Sequence, residues 1–139
     1  MTSVDAKPLV VIADDNESLR FLLTEVVHDH AASSSFEVVE SEAALPALAA
    51  VATGARSGRR MLVISDNRMP GMTGTELIRR ARTDHPNADL KLFVISSAEL
   101  PTNVRDELAS MGARSLTRPF HLKELRVAVG SILDEWMRA

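Results

Sequence analysis

The chain has 139 residues, 45% of them apolar and 25% charged, which fits one globular domain with a real core. A net charge of −3 gives no basic surplus for neutralising nucleic-acid phosphates, and the absence of cysteine excludes disulfides and thiolate metal ligands. No apolar run approaches the length of a membrane span, and MTSVDAKP at the start lacks the cationic and hydrophobic segments of a secretion signal, so a cytoplasmic location is expected.

LVVIA (9–13) predicts a strand whose consecutive apolar residues are covered on both faces. Asp14 and Asp15 follow at once. NESLRFLLTEVVHDH (16–30) sets Leu19, Leu22, Leu23, Val26 and Val27 at helical spacing on one face. FEVV (36–39) reads as a second strand and SEAALPALAAVA (41–52) as a second helix, with Pro46 tolerable in its first turn or as a kink. TGARSGRR (53–60) is the one conspicuous loop excursion. MLVIS (61–65) is a third strand, ending at Asp66, and the stiff turn NRMPGMTG leads into a helix at 74–82. LKLFVIS (90–96) is the fourth strand and TNVRDELASMG (102–112) the fourth helix, closed by Gly112 as its C-cap. ARSLT (113–117) is a weaker fifth strand. The last helix, 121–138, carries Leu122, Leu125, Val129, Ile132, Leu133 and Trp136 along one stripe.

Strand and helix alternating five times imply an α/β fold, a doubly wound five-stranded parallel sheet with helices on both faces. One domain over residues 1–139, with a core of about 8–138 and no output domain, is therefore expected.

In such a sheet, ligands bind beyond the carboxyl ends of the strands, at the switch point in strand order. Asp14 and Asp15 end the first strand and Asp66 the third. If these strands are neighbours, three carboxylates meet, and a hard divalent cation such as Mg²⁺ relieves their repulsion. The plainer reading is that the two adjacent acids only cap the next helix. Ser96 and Ser97 end the fourth strand and Arg118 the fifth. A hydroxyl and a cation beside a metal can together hold a phosphoryl group.

The stretches VIADDNE, VISDNRMPGMTG, SAEL and TRPF resemble the receiver domain of two-component response regulators over nearly the whole chain. That resemblance implies the flavodoxin-like (βα)5 architecture, with strand order 2-1-3-4-5. It implies that Asp66 accepts a phosphoryl group from a sensor histidine kinase or a histidine phosphotransfer protein. It implies that Asp14, Asp15, Asp66 and the backbone carbonyl of Arg68 hold Mg²⁺, and that a cis peptide precedes Pro119. The expected product is a signalling switch that catalyses at most its own phosphorylation and dephosphorylation. Its output runs by contact with a downstream protein, with 102–117 as the docking face by the same resemblance. No nucleic acid or membrane is involved, and the chain is a monomer or weak dimer.

Three features depart from the family pattern. Arg118 stands where lysine is usual before Pro-Phe, and its planar fork is no simple replacement. Ser97 keeps the usual interval to Gly112 but leaves one residue too few before Arg118, whereas Ser96 restores that interval and lengthens the fourth helix; Ser97 is preferred. Leu116 or Ser115 stands where an aromatic residue is common. The alternatives are a degenerate receiver acting as a phosphorylation-independent scaffold and a Mg²⁺-dependent aspartyl phosphatase. The latter needs a second aspartate two positions after Asp66, where Arg68 stands. Arg68 and Glu99 either pair across the site's opening or stand as two separate surface charges. The four histidines are scattered, with no metal-ligand spacing.

Overall fold

The computed structural model describes residues 7–30, 36–118 and 120–138, the last three by backbone alone. Ten elements alternate: β1 (Leu9–Ala13), α1 (Glu17–His30), β2 (Glu37–Ser41), α2 (Ala44–Arg56), β3 (Met61–Asp66), α3 (Gly74–Asp84), β4 (Leu90–Ser96), α4 (Thr102–Ser110), β5 (Arg114–Thr117) and α5 (Leu122–Arg138). The strands form one parallel sheet in the order β2-β1-β3-β4-β5. The chain therefore leaves β1 toward one edge and returns to β3 on its other side, which opens the switch-point crevice between β1 and β3.

Every residue of β1 and β3 is buried, as the apolar runs LVVIA and MLVI require, and β3 carries Ser65 and Asp66 into the interior at its end. Their alternate side chains feed two cores. Leu9, Val11, Met61, Val63, Leu92 and Val94 pack beneath α2, α3 and α4. Val10, Ile12, Leu62, Ile64, Phe93 and Ile95 pack beneath α1 and α5, against Leu23, Val27, Leu125, Val129 and Leu133. Each such side chain contributes about 1.5–3 kcal/mol on burial. Trp136, expected on the α5 stripe, has no described side chain, and Pro119 with its expected cis peptide lies outside the described residues.

Two elements differ most from the sequence expectation. β2 runs on through Glu40 and Ser41 because its register matches all of β1, up to Ala13 opposite Ser41; as an edge strand it tolerates charged residues. α2 begins at Ala44, with Pro46 in its first turn, and continues through 53–56, which was expected as loop. Gly54 misleads there: it is buried, and a Cβ on it would lie 2.6 Å from Met61 Sδ. The glycine lets α2 approach the sheet. Gly112, at φ +72°, closes α4 as expected, with Gly112 N–H donating to Ala109 and Ala113 N–H to Leu108.

Candidate functional site

At the carboxyl end of β1, the N–H of Asp14 donates to the Ser41 carbonyl (3.0 Å), the last ladder bond toward β2. The Asp14 side chain is buried at 1% exposure; its Oδ1 accepts from the Asn16 N–H (2.8 Å), and its Oδ2 has no protein partner. Asn16, not either aspartate, caps α1: its Oδ1 accepts from the Leu19 N–H at 3.0 Å. Neither aspartate therefore supplies the side-chain cap of α1, and Asp15 stands exposed at the end of β1.

β3 carries Asp66 to the neighbouring position at 5% exposure. The turn behind it is fixed from several sides. Asn67 N–H donates to Ile95 (2.7 Å), Asn67 Oδ1 accepts from both the N–H and hydroxyl of Thr75, and Gly74 N–H donates to the Asn67 carbonyl (2.9 Å). Met69 is buried and Met72 partly so in the core under α3, while Gly71 takes φ +84°. Thr73 caps α3 by accepting from the Glu76 N–H. Gly74 passes so close to Asp66 that a Cβ there would collide with the Asp66 carbonyl and the Ser65 hydroxyl. Asn67 was not singled out from sequence; an Asx residue between a strand end and a helix start was the available signal.

One carboxylate oxygen from each of Asp14, Asp15 and Asp66 lies within 4.8 Å of the others. Oxygens on a Mg²⁺ octahedron, about 2.1 Å from the ion, stand about 3–4 Å apart, so the set fits that ion. The unpartnered buried Oδ2 of Asp14 fits it as well. Arg118 reaches in from the end of β5, its backbone N–H on the Ser96 carbonyl (2.8 Å) and its Nη2 on Asp66 Oδ1 at 2.9 Å. Burial pushes the Asp14 carboxyl up to about 6, opposed by the Asn16 N–H and reinforced by Asp66 and Asp15. Burial also raises Asp66, while the Arg118 guanidinium and the Arg68 N–H pull it back.

The two serines differ. Ser96 is buried and its hydroxyl is bound to the Ala98 carbonyl; Ser97 is exposed. Arg68 is exposed, and Glu99 pairs with Arg105 one helical turn into α4 (3.3 Å), so no Arg68–Glu99 bridge forms. Nothing in the chain order ranks Arg105 above Arg68 as partner, because both distances depend on how α4 is set down.

The model of the response regulator receiver domain matches residues 10–130. The chain belongs to the response regulator receiver family. Receiver domains are phosphorylation switches of two-component systems, and the relatives agree with that class. The chain is 26% identical to the chemotaxis protein CheY of Pseudomonas aeruginosa over 126 residues, covering 90% of this chain and 95% of that protein. It is 27% identical over 133 residues to histidine kinase P4 of Formosa agariphila, covering 95% of this chain but only 9% of the kinase. The receiver fold is shared with a CheY-like domain from Methanospirillum hungatei (TM-score 0.71, 18% identity, covering 96% and 98% of the two chains). It is shared too with CheY4 of Vibrio cholerae (TM-score 0.65, 24% identity, 89% and 97%). Among the described residues, no helix of this receiver is long and apolar enough to cross a membrane.

Proposed function

We propose that this receiver is an active phosphorylation switch in which Asp66 is the phosphoacceptor. The observation that carries the reading is the meeting of three carboxylates with one guanidinium at the switch point, Arg118 bonded directly to Asp66. A carboxylate oxygen of Asp66 attacks the phosphorus of a phosphohistidine on a sensor kinase or phosphotransfer protein. The P–N bond breaks as the acyl–phosphate bond forms, and the departing imidazole takes up a proton.

Asp14, Asp15, Asp66 and the Arg68 carbonyl are the groups that would hold Mg²⁺. When bound, the ion supplies charge neutralisation for the phosphoryl oxygens. Arg118 supplies the second cation. Its Nε is buried without a partner while Nη2 is on Asp66, so one edge of the guanidinium is half used at rest. A phosphoryl group on Asp66 would offer oxygens to both nitrogens, the bidentate arrangement that arginine favours and lysine cannot make.

For the hydroxyl contact, continuing the β4 alternation one residue past its end at Ser96 favours Ser97. Ile64 and Ile95 face the same core, and Asp66 and Ser97 each lie two residues further on. Ser96 has the opposite parity, and its hydroxyl is already committed to Ala98. Output is by a protein contact, and Mg²⁺ is the only cofactor required. Arg68, exposed and without acidic character, offers no proton to a leaving group, which argues against a phosphatase.

The test is intact mass after incubation with acetyl phosphate and Mg²⁺. The native chain should gain one phosphoryl group and Asp66→Asn none. A native chain whose mass stays unchanged supports the phosphorylation-independent scaffold instead.

A further inference from the structure

Arg20, at the end of the first turn of α1, does not face the solvent as its position after a helix start would allow. Its side chain is 11% exposed and bridges three places. Nη1 donates to the backbone carbonyl of Asp14 at 2.7 Å, Nε stands 3.6 Å from Glu40 on β2, and Nη2 stands 3.8 Å from Glu42 just beyond it. The Asp14 carbonyl belongs to the peptide that joins Asp14 to Asp15. That peptide lies past the last β1–β2 ladder bond, Asp14 N–H to Ser41, and before the α1 cap at Asn16. Neither the sheet nor the helix fixes its plane, and the guanidinium does so from the side.

We propose that Arg20 is a positioning residue for the metal site: by holding the Asp14–Asp15 peptide against the β2 edge, it sets the direction in which the Asp15 carboxylate leaves the backbone. This rests on the reading of Asp14, Asp15 and Asp66 as a Mg²⁺ site. Asp14 needs no such help, because burial and the Asn16 N–H already fix its side chain. Asp15 is exposed, so its orientation depends on the backbone beneath it. The bond from a guanidinium to a carbonyl is charge-assisted and directional, and Glu40 and Glu42 keep the long side chain from swinging away. Groups that orient metal ligands from behind typically change metal affinity about 10–100-fold when removed.

The experiment measures Mg²⁺ dissociation constants by NMR titration for the native chain, Arg20→Gln, Arg20→Lys and Asp15→Asn, with metal-free melting temperatures for each. Arg20→Gln should bind Mg²⁺ about tenfold more weakly. Arg20→Lys, which keeps a charged donor, should recover most of that loss. Arg20→Gln with native affinity overturns the proposal, even if its melting temperature falls, because a brace that serves only stability lowers melting and leaves the folded site's affinity alone. Should Arg20→Gln fail to fold, Glu40→Gln combined with Glu42→Gln frees the guanidinium from β2. Weaker Mg²⁺ binding in that variant supports the proposal, and unchanged binding overturns it. A native chain that binds no Mg²⁺, or binds it equally well as Asp15→Asn, overturns the metal reading and this proposal together; a native chain and control that behave as expected isolate any failure to Arg20.

Discussion

Asp14 should make the metal-free protein less stable at neutral pH than it is in acid, and Asp14→Asn should remove that penalty. The carboxyl has an ordinary value of 3.8 and is pushed up to about 6 in the fold, chiefly by burial. Between those values the folded protein holds a proton that the unfolded chain has released. The stability tied to that proton is fully present below pH 3.8 and is lost as pH rises through about 6. A rise of roughly two units, at 1.36 kcal/mol each, amounts to about 3 kcal/mol. Asparagine keeps the side-chain oxygen that accepts from Asn16 and carries no charge at any pH. The Asp14→Asn chain should therefore match the native one near pH 4 and exceed it by about 3 kcal/mol at pH 7, about 10 °C in melting temperature for a domain of this size. Urea unfolding in a chelator at half-unit steps of pH measures the difference, which cancels the contributions of carboxylates common to both chains. Adding Mg²⁺ should stabilise the native chain and not the variant. A difference that is flat with pH, or one that shrinks as pH rises, would rule out a buried Asp14 carboxyl with a raised pKa.

Arg118→Ala should leave Mg²⁺ binding intact or tighter, because a competing cation is gone from Asp66, while abolishing the spectral response to beryllofluoride; Arg118→Lys should restore only part of that response. Gly74→Ala should destabilise by about 1–3 kcal/mol and weaken Mg²⁺ binding, since the added Cβ meets the Asp66 carbonyl, and a native melting curve for that variant would contradict the close approach. Ser97→Ala should reduce the beryllofluoride response with stability changed by less than about 0.5 kcal/mol. Ser96→Ala should do the reverse, costing about 1 kcal/mol through its lost bond to Ala98, measured by chemical unfolding.

β1 and β4 have the bounds that their apolar runs predict, because a strand covered on both faces writes itself as consecutive Val, Ile and Leu. β2 was less legible: only part of it is buried, so Glu40 and Ser41 look like loop until the register with β1 is seen. The acidic cluster was readable because Asp14, Asp15 and Asp66 each follow an unmistakable strand, and the sheet order alone brings such ends together. What sequence could not supply were contacts set by how one element lies upon another. Gly54 reads as a helix breaker until Met61 is found against it. Arg20 reads as one more helical surface charge until β2 is placed beside α1. Glu99, just before α4, takes Arg105 from the first turns of that helix rather than Arg68 across the opening. Between the two serines, interval counting prefers Ser97, and the fold adds what sequence could not: the Ser96 hydroxyl is buried on the Ala98 carbonyl, while Ser97 is exposed just past the end of β4.

The proposed switch depends on Asp66 itself carrying the phosphoryl group. It is tested most directly by treating the chain with acetyl phosphate and Mg²⁺, trapping with borohydride, which reduces an acyl phosphate to the alcohol, and locating the change by peptide mass spectrometry. Reduction is expected at residue 66 alone, absent when Mg²⁺ is chelated and absent in Asp66→Asn. Reduction at Asp14 or Asp15, or a peptide spanning Asp66 that emerges unmodified from a fully treated sample, would contradict it.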